Sequence, residues 1–71
     1  MRWIQFSSND KFHLVSYSFD LKPCVRWMCN RKQYQFVCGL TVIADPDKTA
    51  ARDKIYQRSI DEYCRKCLEK I

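Results

Sequence analysis

Glycine is almost missing from this chain: Gly39 is the only one in 71 residues. Phosphate-cradling loops of the GxGxxG or GxxxxGKS/T kind need two or more, so nucleotide-driven chemistry has no platform here. Histidine is equally scarce. With His13 as the sole imidazole, there is no Ser-His-Asp set, and a Cys-His dyad built on Cys38 would lack an evident third group to orient it. No enzyme is expected. Long apolar runs are absent too: the longest stretches, Val37 to Leu40 and Thr41 to Ala44, are far too short to span a bilayer. The segment Met1-Arg2-Trp3-Ile4-Gln5-Phe6-Ser7 lacks the apolar centre of a signal peptide. The expectation is a soluble cytoplasmic protein with no membrane partner. Length removes the rest of the large catalytic architectures, since 71 residues hold one small domain, 1–71, and no Rossmann, kinase or TIM-barrel unit.

What the chain does have is cysteine, five of them. A domain this small hides only about 60% of its unfolded surface on folding, so its apolar core is marginal and a staple is expected. In a reducing compartment thiols stay unpaired, and an odd count leaves one over in any fully bridged scheme, so metal ligation is favoured over disulfides. Cys64-Arg65-Lys66-Cys67 is the sharpest local signal. A C-x-x-C pair brings two sulfurs to one side of a turn or helix start, where they can share a tetrahedral ion, and the flanking cations favour thiolate. Core filling and thioredoxin-like redox chemistry compete, but the latter needs a βαβ setting that this chain is too short to supply.

The pattern of residues predicts an α+β fold: a small antiparallel β-meander of three to four strands over about residues 2–43, packed against a C-terminal α-helix within 47–71. Trp3 to Phe6, Phe12 to Phe19, Cys24 to Cys29 and Gln33 to Ile43 are rich in aromatic and β-branched residues and are separated by turn clusters. Asp45-Pro46-Asp47 can open a helix, and apolar residues at 56, 60, 63, 64, 67, 68 and 71 keep a 3.6-residue period. Ser59-Ile60-Asp61-Glu62 has the form of a capping box, which places a final helix from about Ile60. One continuous helix from Asp47 would run about 37 Å, so a loop, short strand or first helix is expected before Ser59.

Two further ligands must come from His13, Cys24, Cys29 and Cys38. Strand alternation puts His13 on one face with Val15, Tyr17 and Phe19, and Cys38 with Tyr34 and Phe36, both toward the core. A cysteine followed by glycine suits a metal knuckle, because glycine permits a left-handed turn that aims amides at the sulfur. The preferred set is therefore His13, Cys38, Cys64 and Cys67, holding a structural Zn²⁺. Two alternatives stay open. Cys24 and Cys29 could join the C-x-x-C pair, although five positions apart on one strand they face opposite ways unless a bulge intervenes; or Cys29 could replace His13.

Charge gives the partner class. Thirteen basic and eight acidic side chains make a net +5, concentrated in residues 1–40, which hold six basic and two acidic groups. Arg26, Arg31 and Lys32 lie among Trp27, Tyr34 and Phe36, the cation-and-aromatic mixture that neutralises phosphates and stacks on bases. The same features suit an aromatic-Arg hot spot for a protein. The expected partner is a protein or nucleic-acid-handling complex, bound as an inhibitor or adaptor. DNA or RNA held directly by Arg26, Trp27, Arg31, Lys32 and Tyr34 is the alternative.

Three patches, Phe12-His13-Leu14-Val15, Phe36-Val37-Cys38-Gly39-Leu40 and Tyr63-Cys64-Arg65-Lys66-Cys67-Leu68, resemble the small zinc-finger, zinc-ribbon-like proteins of bacteria and their phages. Those proteins carry a His-Leu-Val, a Cys-Gly and a Cys-x-x-Cys-Leu at the mouth of a terminal helix. The resemblance implies zinc held by His13, Cys38, Cys64 and Cys67, and an origin in a phage or mobile element. The 24 residues between His13 and Cys38, with their own Cys24 and Cys29, depart from that pattern.

Overall fold

The computed structural model describes residues 2–21 and 31–71; Cys24, Arg26, Trp27 and Cys29 lie outside them. Five strands run as β1 (Trp3–Gln5), β2 (His13–Asp20), β3 (Lys32–Phe36), β4 (Thr41–Ala44) and β5 (Ala50–Arg52). They form one antiparallel sheet in the order β4-β3-β2-β1-β5. Short 3-10 turns occupy Pro46–Lys48 and Gln57–Glu62, and the one α-helix among the described residues, α1, spans the five residues Arg65–Glu69. The described residues are predominantly β, so the expected meander on a C-terminal helix is corrected.

β1 is an interior strand, paired with β2 on one side and β5 on the other, and both of its faces are covered by side chains. Trp3 lies opposite Leu14 and Arg52, Ile4 opposite His13 and Ala51. On Trp3's side the sheet meets Phe12, Leu14, Tyr63 and Cys67, all buried. On Ile4's side it meets Tyr34 and Phe36, with Phe6, Val15, Val42 and Ala44 packed around them. Cys38, in the turn between β3 and β4, packs against both groups. Burial on both faces explains why Phe12 and Leu14 join the core, although uninterrupted alternation would continue their face into the polar Ser16 and Ser18.

A bulge changes the second half of β2. Val15 pairs with Phe36 but Tyr17 pairs with Gln35, so Ser16 is the extra residue. One inserted residue moves everything beyond it to the other face. Tyr17 and Phe19, expected to share the core face with His13, therefore stack on each other at 5.9 Å on the outer face. There they stand in rows with Gln35 and Thr41, and with Gln33 and Ile43. Tyr17, Phe19 and Ile43 are each more than two-fifths exposed.

The C-terminal third departs furthest from expectation. Asp45 does cap the turn at Pro46, its carboxylate accepting from the Asp47 amide at 2.9 Å, but Thr49 closes it after three residues. The chain then enters β5 and pairs with β1. The anticipated helix from Ile60 with a capping box at Ser59 does not form: Ser59 lies inside the second 3-10 turn, Tyr63 after it is extended, and α1 begins only at Arg65. The backbone explains the lost helix. Phe12 donates its amide to the Glu62 carbonyl at 2.8 Å, and Cys64 donates its own to the Phe12 carbonyl at 2.7 Å. This bridge holds Tyr63 and Cys64 extended, and α1 begins only beyond Cys64. Of the seven periodic apolar positions, only Tyr63 and Cys67 are buried. No helix among the described residues is long and apolar enough to cross a membrane.

Candidate metal centre

Three separate stretches of chain meet at the start of β2. His13 opens the strand. Cys38 sits in the three-residue connection of the β3–β4 hairpin, which is closed by Gly39 N–H to Phe36 O and Phe36 N–H to Leu40 O, both 2.9 Å. Gly39 has φ +96°, the left-handed conformation such a turn requires. Cys64 precedes α1 and Cys67 lies within it, one turn on. The hairpin ends early enough for its turn to fold over His13 and Leu14, while the Phe12 bridge brings the C-terminal segment to the same place.

The imidazole nitrogen of His13 and the sulfurs of Cys38, Cys64 and Cys67 all lie within 4.8 Å of one another. In a zinc tetrahedron with bonds of about 2.3 Å to sulfur and about 2.0 Å to nitrogen, the edges measure about 3.6–3.8 Å. The Cys38 Sγ to His13 Nδ1 distance is already 3.8 Å, so closure on an ion needs shifts of about 1 Å or less. The four residues could hold a metal ion. No bridge joins the thiols of Cys38, Cys64 and Cys67.

The surroundings fit a thiolate-rich centre. The Leu14 amide donates to Cys67 Sγ at 3.3 Å. Burial acts to raise the Cys38 pKa, but hydrogen bonds from the Leu40 amide and the Cys67 and Cys64 thiols outweigh it and hold it below the ordinary thiol value. Burial pushes Cys67 up to about 11. Without an ion, Cys67 is therefore a neutral thiol at pH 7, and a metal binding there must displace its proton. His13 turns Nδ1 toward Cys38 and Nε2 toward the Asp10 carboxylate, 3.4 Å away. A carboxylate behind the imidazole fixes the tautomer that presents a lone pair to a metal. Asp10 lies between the stretches Trp3 to Phe6 and Phe12 to Phe19 and carries no mark of its own in the sequence. Its spacing of three residues from His13 was the signal that could have singled it out.

The structure matches no family model, no curated protein and no solved structure. What the site is must come from its own geometry.

Of the residues expected to touch a partner, Arg31, Lys32 and Tyr34 are among those described. Arg31 is exposed, and the Lys32 ammonium lies 3.9 Å from the Asp20 carboxylate in a largely solvated pair of little energetic consequence. Tyr34 is buried in the core, edge-on to Phe6 and parallel to Phe36. Burial also raises its phenol pKa. Its ring is not available to stack on a base. Arg26 and Trp27 fall outside the described residues.

Proposed function

We propose that this protein is a small, non-enzymatic binding module stapled by one structural Zn²⁺ on His13, Cys38, Cys64 and Cys67. The observation that carries the reading is the convergence of those four ligand atoms from three distant stretches. Three thiolates with an imidazole are soft donors in a four-coordinate arrangement, which suits zinc and does not suit magnesium, calcium or manganese. Four protein ligands also leave no open position for water or substrate, so the ion stabilises rather than catalyses. The module's partner is a host protein or nucleic-acid-handling complex, in the phage or mobile-element setting that the resemblance implies.

Native mass spectrometry of protein made in zinc-supplemented medium tests this. The expected spectrum shows one zinc per chain, lost on chelation. A metal-free mass, or a spread of stoichiometries, contradicts a dedicated site.

A further inference from the structure

Away from the thiol cluster, a second feature is built around Arg52. Its guanidinium lies 4.1 Å from the centre of the Phe12 ring and within hydrogen-bonding reach, 3.5 Å, of both the Tyr63 hydroxyl and the Glu62 carboxylate. The Tyr63 hydroxyl also donates to the Lys54 carbonyl at 2.9 Å and accepts from the Tyr56 amide at 3.1 Å. One phenol thus fixes both the cation and the backbone that carries Tyr56. The Tyr56 ring is 42% exposed, with Lys54 and Arg52 placed 5.2 and 5.6 Å from its centre.

Two clefts adjoin at this point. The larger, about 510 Å³, is lined by Arg52, Tyr56, Gln57, Arg58 and Ser59. The smaller, about 340 Å³, is lined by Arg2, Ala51, Arg52, Asp53 and Tyr56. Arg52 and Tyr56 belong to both and stand between them. Arg2, Arg52 and Arg58 line the clefts against the single carboxylate of Asp53, and because Arg52 also engages Glu62, the local excess is one positive charge, carried by Arg2 and Arg58. Each volume falls in the range of small-ligand sites. The exposed guanidinium groups of Arg2 and Arg58, with the half-buried one of Arg52, stand beside an exposed aromatic ring, the combination that neutralises phosphate and stacks on a planar base. The net charge of +5 favours a polyanion.

We propose that the paired clefts at Arg52 and Tyr56 bind nucleotide units of an unpaired strand, with a base stacked on Tyr56 and the flanking phosphates held by Arg58, Arg52 and Arg2. In a duplex both faces of each base are covered by the stacked neighbouring pairs and are closed to Tyr56, so the ligand is single-stranded. A free nucleotide offers the same chemistry in one unit. The inference rests on the stapled fold proposed above, because Tyr63, which aims Arg52, adjoins Cys64.

The test is fluorescence anisotropy of labelled oligo-dT and oligo-rU with the metal-loaded protein across a salt series, with adenosine monophosphate as competitor. Zinc occupancy of every variant is read by native mass spectrometry. Binding is expected to weaken as salt rises from about 50 to 200 mM. Arg58→Ala should lower the salt slope by about one, and Tyr56→Ala should weaken binding at least roughly fivefold with little change of slope. Both side chains are exposed, so the fold and the metal should survive. Lys48→Ala, an exposed charge elsewhere, should change little. Competition by the mononucleotide as strong as by the oligonucleotide assigns the site to free nucleotides, and tighter oligonucleotide binding assigns it to strands. No binding at about 50 mM salt by protein holding its zinc overturns the cleft and leaves the metal centre standing. So do variants at Tyr56 and Arg58 that bind unchanged, or a Lys48→Ala loss equal to that of Arg58→Ala. Protein that carries no zinc and still binds oligonucleotide with this dependence on Tyr56 and Arg58 overturns the staple instead.

Discussion

Removing the proposed metal with a strong chelator is expected to unfold the protein. Far-ultraviolet circular dichroism should lose its sheet signal, dispersed amide resonances should collapse, and both should return when zinc is restored. The size of the effect follows from two magnitudes. A 71-residue domain has a total stability of about 4–11 kcal/mol, whereas a structural zinc contributes about 10–16 kcal/mol at neutral pH. The staple is as large as the whole balance. Without the ion the clamped elements keep only a few contacts: α1 is five residues long and buries only Cys67, with the Phe12 bridge before it, and the β3–β4 turn reaches β2 through Cys38, the Val37 amide and the partly buried Val37 side chain. A dichroism spectrum unchanged by chelation would mean that the two apolar groups around Trp3 and Ile4 suffice alone.

Single substitutions should then separate ligands from bystanders. Cys67→Ser is expected to lower zinc affinity more than about 100-fold, the upper end of what losing a supporting residue behind a ligand costs. Cys67 is fully buried and accepts the Leu14 amide, so this variant should also be the least stable of the set. Asp10→Asn should cost roughly 10–100-fold, because an amide holds the His13 ring less firmly in the tautomer that presents Nδ1. Cys24→Ser and Cys29→Ser should retain zinc, since four ligands are supplied without them. Zinc titration against a colorimetric competitor, with dichroism to report the fold, measures all four. Retention by Cys67→Ser together with loss by Cys24→Ser would reverse the assignment.

The grouping of His13, Cys38, Cys64 and Cys67 was legible because each carries a local mark: a C-x-x-C, a Cys-Gly turn, a histidine on an aromatic strand face. Local marks survive changes in the surrounding architecture. The C-terminal third was not legible for the converse reason. Its 3.6-residue period is real at Tyr63 and Cys67, but helix extension through Tyr63 would have required backbone groups that Phe12 takes from fifty residues away. Ala50-Ala51-Arg52 carries no β-branched or aromatic signal and becomes a strand only because β1 offers an open edge. The bulge at Ser16 left no trace in the residue pattern, and it alone moved Tyr17 and Phe19 outward.

X-ray absorption at the zinc edge on the purified holoprotein tests the ligand set most directly. The expected shell holds three sulfurs at about 2.3 Å and one nitrogen at about 2.0 Å, with imidazole scattering beyond it from His13. Four sulfurs and no imidazole would bring Cys24 or Cys29 into the site in place of His13, and a shell dominated by oxygen would contradict a dedicated zinc centre altogether.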